Sequence, residues 1–130
     1  MNSNTFARKS YLEKNWIATN SEDFISHVKN KNSLVVDIDL FRATANEAEY
    51  LKDYLENLNL KENNQMVINL DKCTFVDSTF LSTIIRFSKK NAEINNIKLV
   101  ISDIRQFSIF KITKIDTIFD IYPTLEEALA

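Results

Sequence analysis

Ser78 is the side chain of this sequence best placed to do chemistry, because of what surrounds it. Val67 to Leu81 reads as a buried strand, a short polar connection, the apolar pair Phe75-Val76, and an Asp77-Ser78-Thr79 turn that opens a helix. A helix N-terminus presents unpaired N–H groups and a partial positive charge. A hydroxyl there can carry a phosphate with little local penalty. Phosphorylation would then add charge to a surface at a rigid strand-to-helix corner. The plainer reading is a structural one: Ser is a preferred N-cap, worth about 1 kcal/mol over Ala. Asp77 divides in the same way between a turn acceptor and a functional acid. Thr79 is a first-turn residue or a second phosphoacceptor, and Phe80 a surface contact or a lid packed on the neighbours of Leu81. Arg42 is a solvated cation or a phosphate ligand.

Catalysis finds little support. A serine at such a corner resembles a hydrolase nucleophile elbow, but that turn needs glycines around the serine. This chain contains no glycine at all. The single histidine, His27, precedes Ser78, whereas the hydrolase order places it last. A Gly-rich phosphate loop is excluded for the same reason, so phosphoryl transfer by this chain is not expected. His27 has no neighbouring Cys, Asp or second His to suggest a metal set. Cys73 reads as a small, partly buried filler. No catalytic residue, metal or cofactor is expected.

The elements that must hold Ser78 follow from periodicity. Leu34, Val36, Ile38 and Leu40 alternate with Val35, Asp37 and Asp39, a strand with one buried face. Residues 23–28 are ambiguous between helix and hairpin, with Lys29-Asn30-Lys31-Asn32 as the turn. Thr44 and Glu47 form a capping box, and Ala48, Leu51, Leu55 and Leu58 make one apolar helical stripe. Met66–Leu70 suits a central strand. The second helix starts near Ser78, with Leu81, Ile84, Ile85 and Ser88 on one face. Leu99–Ile101 is another central strand, and 104–112 holds a short helix. Ile118, Phe119 and Ile121 form a last strand before a final helix capped by Thr124 and Glu127. Phe107, Phe110 and Phe119 read as core. Strands alternating with helices imply an α/β fold: a mostly parallel sheet of four to five strands with about four helices.

Composition agrees. The 130 residues suffice for one domain with a real core, and 45% hydrophobic with 26% charged residues is ordinary for a globular chain. A formal net charge of −2 does not favour nucleic acid. No apolar run is long enough to span a bilayer, so membrane insertion is not expected. The N-terminus lacks an apolar signal core and Cys73 is alone, which fits a cytoplasmic protein. Without glycine, positions needing positive φ must fall to Asn or Asp or be avoided. Residues 1–22 read as an extension, with Phe6, Tyr11 and Trp16 scattered through it, and residues 23–130 as the domain.

Three segments resemble the STAS domain family (sulfate transporter and anti-sigma factor antagonist). Met66–Leu70 followed by Phe75–Leu81 is similar to the family's strand and Asp-Ser-Ser/Thr-Gly-Leu motif. Leu40–Leu58 resembles its strand end and first helix. Phe110–Tyr122, leading into Leu125–Leu129, resembles its C-terminal strand and closing helix. The resemblance implies interaction rather than catalysis. In the antagonist branch, an anti-sigma factor serine kinase phosphorylates the serine after the motif Asp, the unmodified form sequesters that kinase, and a serine phosphatase resets it. Carried over, Ser78 is the phosphoacceptor and Asp77, Thr79, Phe80, Asp39 and Arg42 belong to the partner face. Phe80 stands where the family has Gly, and Lys114 replaces another common Gly. Arg42 stands where many members carry an Asp, with Asp39 nearby but out of register. The alternative role is a STAS scaffold or accessory subunit of a stress-signalling or lipid-transport complex, without phosphoregulation. A homodimer is one possible state, and a stable homo-oligomer would favour this alternative.

Overall fold

A computed structural model describes residues 20–58, 60, 65–91, 96–102 and 115–130. The extension expected over 1–22 falls largely outside this set, as do the helix expected over 104–112, Phe107 and Phe110. A 3-10 turn at Ser21–Asp23 leads into β1 (Ile25–Asn30) and β2 (Ser33–Ile38). Then come β3 (Arg42–Ala43), α1 (Ala45–Glu56), β4 (Gln65–Asn69), β5 (Phe75–Val76), α2 (Ser78–Lys90) and β6 (Asn96–Val100). A second 3-10 turn at Ile115–Thr117 precedes β7 (Asp120–Tyr122) and α3 (Leu125–Leu129). The main sheet has five strands in the order β1-β2-β4-β6-β7, and β3 and β5 form a separate two-stranded ribbon. The pairs β2–β4, β4–β6 and β6–β7 are parallel, while β1 runs antiparallel to β2. The fold is α/β with a mostly parallel sheet. The Met66–Leu70 segment lies at its centre, as its unbroken apolar run requires.

Residues 23–28 resolve as a hairpin strand. The two-residue connection Lys31-Asn32 joins β1 to β2, and Lys31 takes φ 56°. The left-handed position therefore falls on a lysine, against the expectation of Asn or Asp. Pairing of Asn30 with Ser33 places Lys31 there, and the strain of about 1–2 kcal/mol is outweighed by the ladder.

Both faces of β2 are covered, where alternation predicted one. Leu34, Val36, Ile38, Met66, Ile68, Ile97 and Leu99 face a core shared with α1 and α2. Val35, Val67 and Val100 face the opposite way, against Ala128 of α3 with Tyr122, Leu125 and Leu129. Lys98 lies on this second face, buried, with its Nζ donating to the Ala128 carbonyl at 2.9 Å and lying 5.2 Å from the Tyr122 ring centroid. A cation there complements the carbonyl end of the short closing helix.

The helix stripes are only partly as read. In α1, Ala48, Leu51 and Leu55 are buried and Leu58 packs on the core edge. In α2 the buried set is Phe80, Leu81, Ile84 and Phe87, while Ile85 and Ser88 are half-buried. The stripe is thus rotated toward Phe80. Ile118 is exposed in a turn rather than paired in β7, and Phe119 is buried. Thr124 caps α3 by accepting from the Glu127 N–H at 3.1 Å.

Leu55 sits mid-stripe, fully enclosed by the sheet-facing core. Leu55→Ala is expected to cost about 2–5 kcal/mol. Chemical denaturation would check this, and a stability loss below about 1 kcal/mol would mean the site collapses around the cavity.

Candidate functional site: the paired helix entrances

The ribbon positions the site. β3 and β5 run parallel, with Arg42 opposite Phe75 and Ala43 opposite Val76. The Thr74 N–H donates to the Phe41 carbonyl and the Asp77 N–H to the Ala43 carbonyl, each at 2.9 Å. α1 and α2 begin directly beyond this ribbon, so their N-termini emerge side by side. Each presents unpaired N–H groups that must find acceptors.

One carboxylate serves both ends. Asp77 Oδ1 accepts from the Phe80 N–H at 2.9 Å, capping α2, and Oδ2 accepts from the Ala45 N–H at 2.8 Å, at the first residue of α1. Thr44 completes the α1 end: its Oγ1 accepts from the Asn46 N–H at 3.2 Å, and Glu47 Oε1 accepts from the Thr44 N–H at 2.9 Å. The predicted capping box is present, and Asp77 ties it to the second helix.

Asp77 displaces Ser78 from the role sequence suggested. The N-cap of α2 is Asp77, and Ser78 is the first helical residue. Ser78 is exposed, and its hydroxyl makes no hydrogen bond among the described residues. Thr79 is exposed beside it, its carbonyl accepting from Thr83 Oγ1 at 3.1 Å.

The STAS domain family model matches residues 27–128. The chain belongs to the STAS domain family. Solved structures agree at the level of fold. An anti-sigma factor antagonist from Mycobacterium paratuberculosis aligns with TM-score 0.70 at 21% identity, over 88% of this chain and 96% of that one. A provisionally designated anti-sigma factor antagonist from Thermotoga maritima aligns with TM-score 0.68 at 19% identity, over 81% of this chain and 91% of that one. Comparison with curated proteins finds no match.

Within this STAS domain the other expected site residues separate. Phe80 is neither a surface contact nor a lid: it is 0% exposed and belongs to the core under α2. Helical geometry turns position 80 inward, seven residues or two turns before Phe87 on the buried stripe, so the ring cannot screen Ser78. Arg42 is exposed, its guanidinium carbon 4.4 Å from the centroid of the Phe75 ring. Phe75, which sequence reading treated only as half of an apolar pair, is 38% exposed. Its outward direction follows from the ribbon register, because Val76 faces the core. Asp39 is ion-paired with Lys72 at 3.5 Å. Cys73 is buried, and burial followed by the nearby Asp71 carboxylate pushes its thiol far above the usual range, leaving it inert. His27 is exposed and hydrogen-bonded through Nδ1 to the Tyr54 hydroxyl. Among the described residues no group of His, Cys, Asp or Glu could hold a metal, and no helix is long and apolar enough to cross a membrane.

Burial raises the pKa of the Glu47 carboxyl above its usual value, opposed first by its bonds from Thr44, with Asp77 adding to the rise and Arg42 opposing it. Asp39 is raised too, by burial above all, against the pull of Lys72. A carboxyl raised on folding binds its proton more tightly in the native state. Its contribution to stability is therefore full below the unfolded pKa and is lost as pH rises through the raised native value. Glu47→Gln keeps an acceptor for the box without the buried charge. Its melting temperature should match or exceed wild type at neutral pH and depend less on pH across the weakly acidic range. Asp39, raised in the same direction, keeps its own share of the dependence.

Asp77→Ala removes both caps at once. The expected loss is about 2–3 kcal/mol, more than a single N-cap provides. Asp77→Asn retains one acceptor oxygen and should lose about half as much. Equal losses for Asp77→Ala and a conventional cap deletion at Thr124 would mean the bond to Ala45 contributes nothing.

Proposed function

We propose that this STAS domain is an anti-sigma factor antagonist, a binding module switched by phosphorylation of Ser78. The observation that carries this reading is the state of Ser78: exposed, at the first position of α2, with its hydroxyl unbonded among the described residues. A serine that caps its helix would have to break a structural bond to accept a phosphate. Here Asp77 does the capping, so Ser78 is available. The likeness of fold to anti-sigma factor antagonists supports the same role.

The physics of the corner sets the direction of the switch. Phosphate adds about −1.5 to −2 charges. Two converging helix N-termini offer partial positive charge, so the folded domain tolerates the modification. A partner surface pressed against the corner does not, since it must desolvate the phosphate or meet it with like charge. The unmodified form therefore binds an anti-sigma factor kinase, that kinase inactivates it by modifying Ser78, and a phosphatase restores it. The chemistry on Ser78 is the partners'; the domain itself acts by binding, in the cytoplasm. Thr79, one residue further into the helix, is a contact residue of the same surface.

Ser78→Asp should fold as well as wild type, gaining about 0.3–1 kcal/mol from the helix terminus. It should nevertheless bind the kinase partner at least about tenfold more weakly, a loss of about 1.4 kcal/mol. Ser78→Ala should be thermally neutral, because no cap is lost, and should bind constitutively. Calorimetric titration of the three forms against the partner checks this. Equal affinities would remove the switch and leave a scaffold.

A further inference from the structure

We propose that the Arg42–Phe75 stack anchors the partner, and that the segment it receives is acidic: a carboxylate on the edge of the guanidinium, with an apolar side chain against the Phe75 ring. This rests on the reading of Ser78 as the switch and names the chemistry of the partner at that face. Arg42 is exposed, lies over Phe75 at 4.4 Å, and makes no ion pair among the described residues. Stacking uses the flat face of the guanidinium and leaves its edge donors in a fork suited to a carboxylate. The ring also holds the side chain in place, which lowers the ordering cost of binding. Arg and exposed aromatic residues are the types that dominate interface energetics.

Among the described residues, the two carboxylates of this corner are already engaged. Glu47 feels the Arg42 charge, yet its Oε1 accepts from both the Thr44 N–H and the Thr44 hydroxyl. Both oxygens of Asp77 are occupied by helix N–H groups. The positive edge of Arg42 is thus left to a group from outside.

The polarity of the switch points the same way. Phe75 precedes Ser78 by three residues, and Arg42 is its register partner in the ribbon. A phosphate on Ser78 adds negative charge to this corner. It would strengthen binding to a basic segment and weaken binding to an acidic one, by repelling its carboxylate and by competing for Arg42. A form that binds only when unmodified is therefore better matched by an acidic partner here than by a basic one.

The test uses a random peptide library displayed on phage, panned against the full chain, followed by titration of the selected peptides by heteronuclear NMR. The enriched sequences should be rich in Asp and Glu beside an apolar residue and should shift the Arg42 side-chain signal. Arg42→Ala and Phe75→Ala should each weaken them about tenfold or more. Arg42→Glu should turn selection toward Lys- and Arg-rich peptides. Thermal melts confirm that these exposed substitutions leave the fold intact. Basic or uncharged winners, or affinities unchanged in both Arg42→Ala and Phe75→Ala, would overturn the anchor. Ser78→Asp separates the two ideas. Acidic peptides that need Arg42 but bind Ser78→Asp unchanged would uphold the anchor and sink the phosphoswitch. Loss in Ser78→Asp with no effect of Arg42→Ala would do the reverse.

Discussion

The Asp77 carboxylate joins two helix N-termini that would otherwise be separate solvation problems. Its two oxygens accept one N–H from α2 and one from α1. The β3–β5 ribbon makes this possible, because it brings both chain entries to the same height. Much else at the corner follows from that bond. Ser78 is relieved of capping and left exposed. Thr44 and Glu47 can close their own box without help from the second helix. The partial positive ends of two dipoles converge where a phosphate would sit.

The interior is protected by the way α2 is seated. Phe80 and Leu81 follow the exposed pair Ser78-Thr79 directly and point into the core. The exposed pair and the buried anchor thus share a single helical turn. The large ring at position 80 fills space beneath α2, so it helps to hold the helix on the sheet rather than to greet a partner. The aromatic that does face outward is Phe75, on the strand before the corner, with Arg42 laid over it. The change of face between Phe75 and Phe80 is a change of periodicity, from alternation in a strand to the turn of a helix.

The second face of the sheet obeys a different constraint. α3 is short, and it packs on the valine row of β2, β4 and β6 together with Tyr122. Lys98 adds what apolar contact alone would supply weakly, a directed bond from a buried cation to the carbonyl end of the helix. Parallel strands are covered on both sides, and among the described residues this closing helix meets that demand on the side away from α1 and α2.

Sequence alone determined the α/β class with its mostly parallel sheet, the central place of Met66–Leu70, the α1 stripe, the Thr44–Glu47 box and the strand-to-helix corner at Ser78. These are local matters: period, capping chemistry and turn residues act over a few positions, and nothing distant needs to be known. Only the tertiary structure decided what the corner residues do. That Asp77 serves both helices depends on Ala45, 32 residues away in sequence, offering its N–H to the carboxylate that also caps α2. That Phe80 is core and Phe75 surface depends on the sheet beneath α2. That Lys31 takes the left-handed turn depends on the register between β1 and β2, and that Lys98 is buried depends on where the last helix lands. In each case two or more chemically acceptable roles were open to the residue, and the partner that chose between them came from another part of the chain.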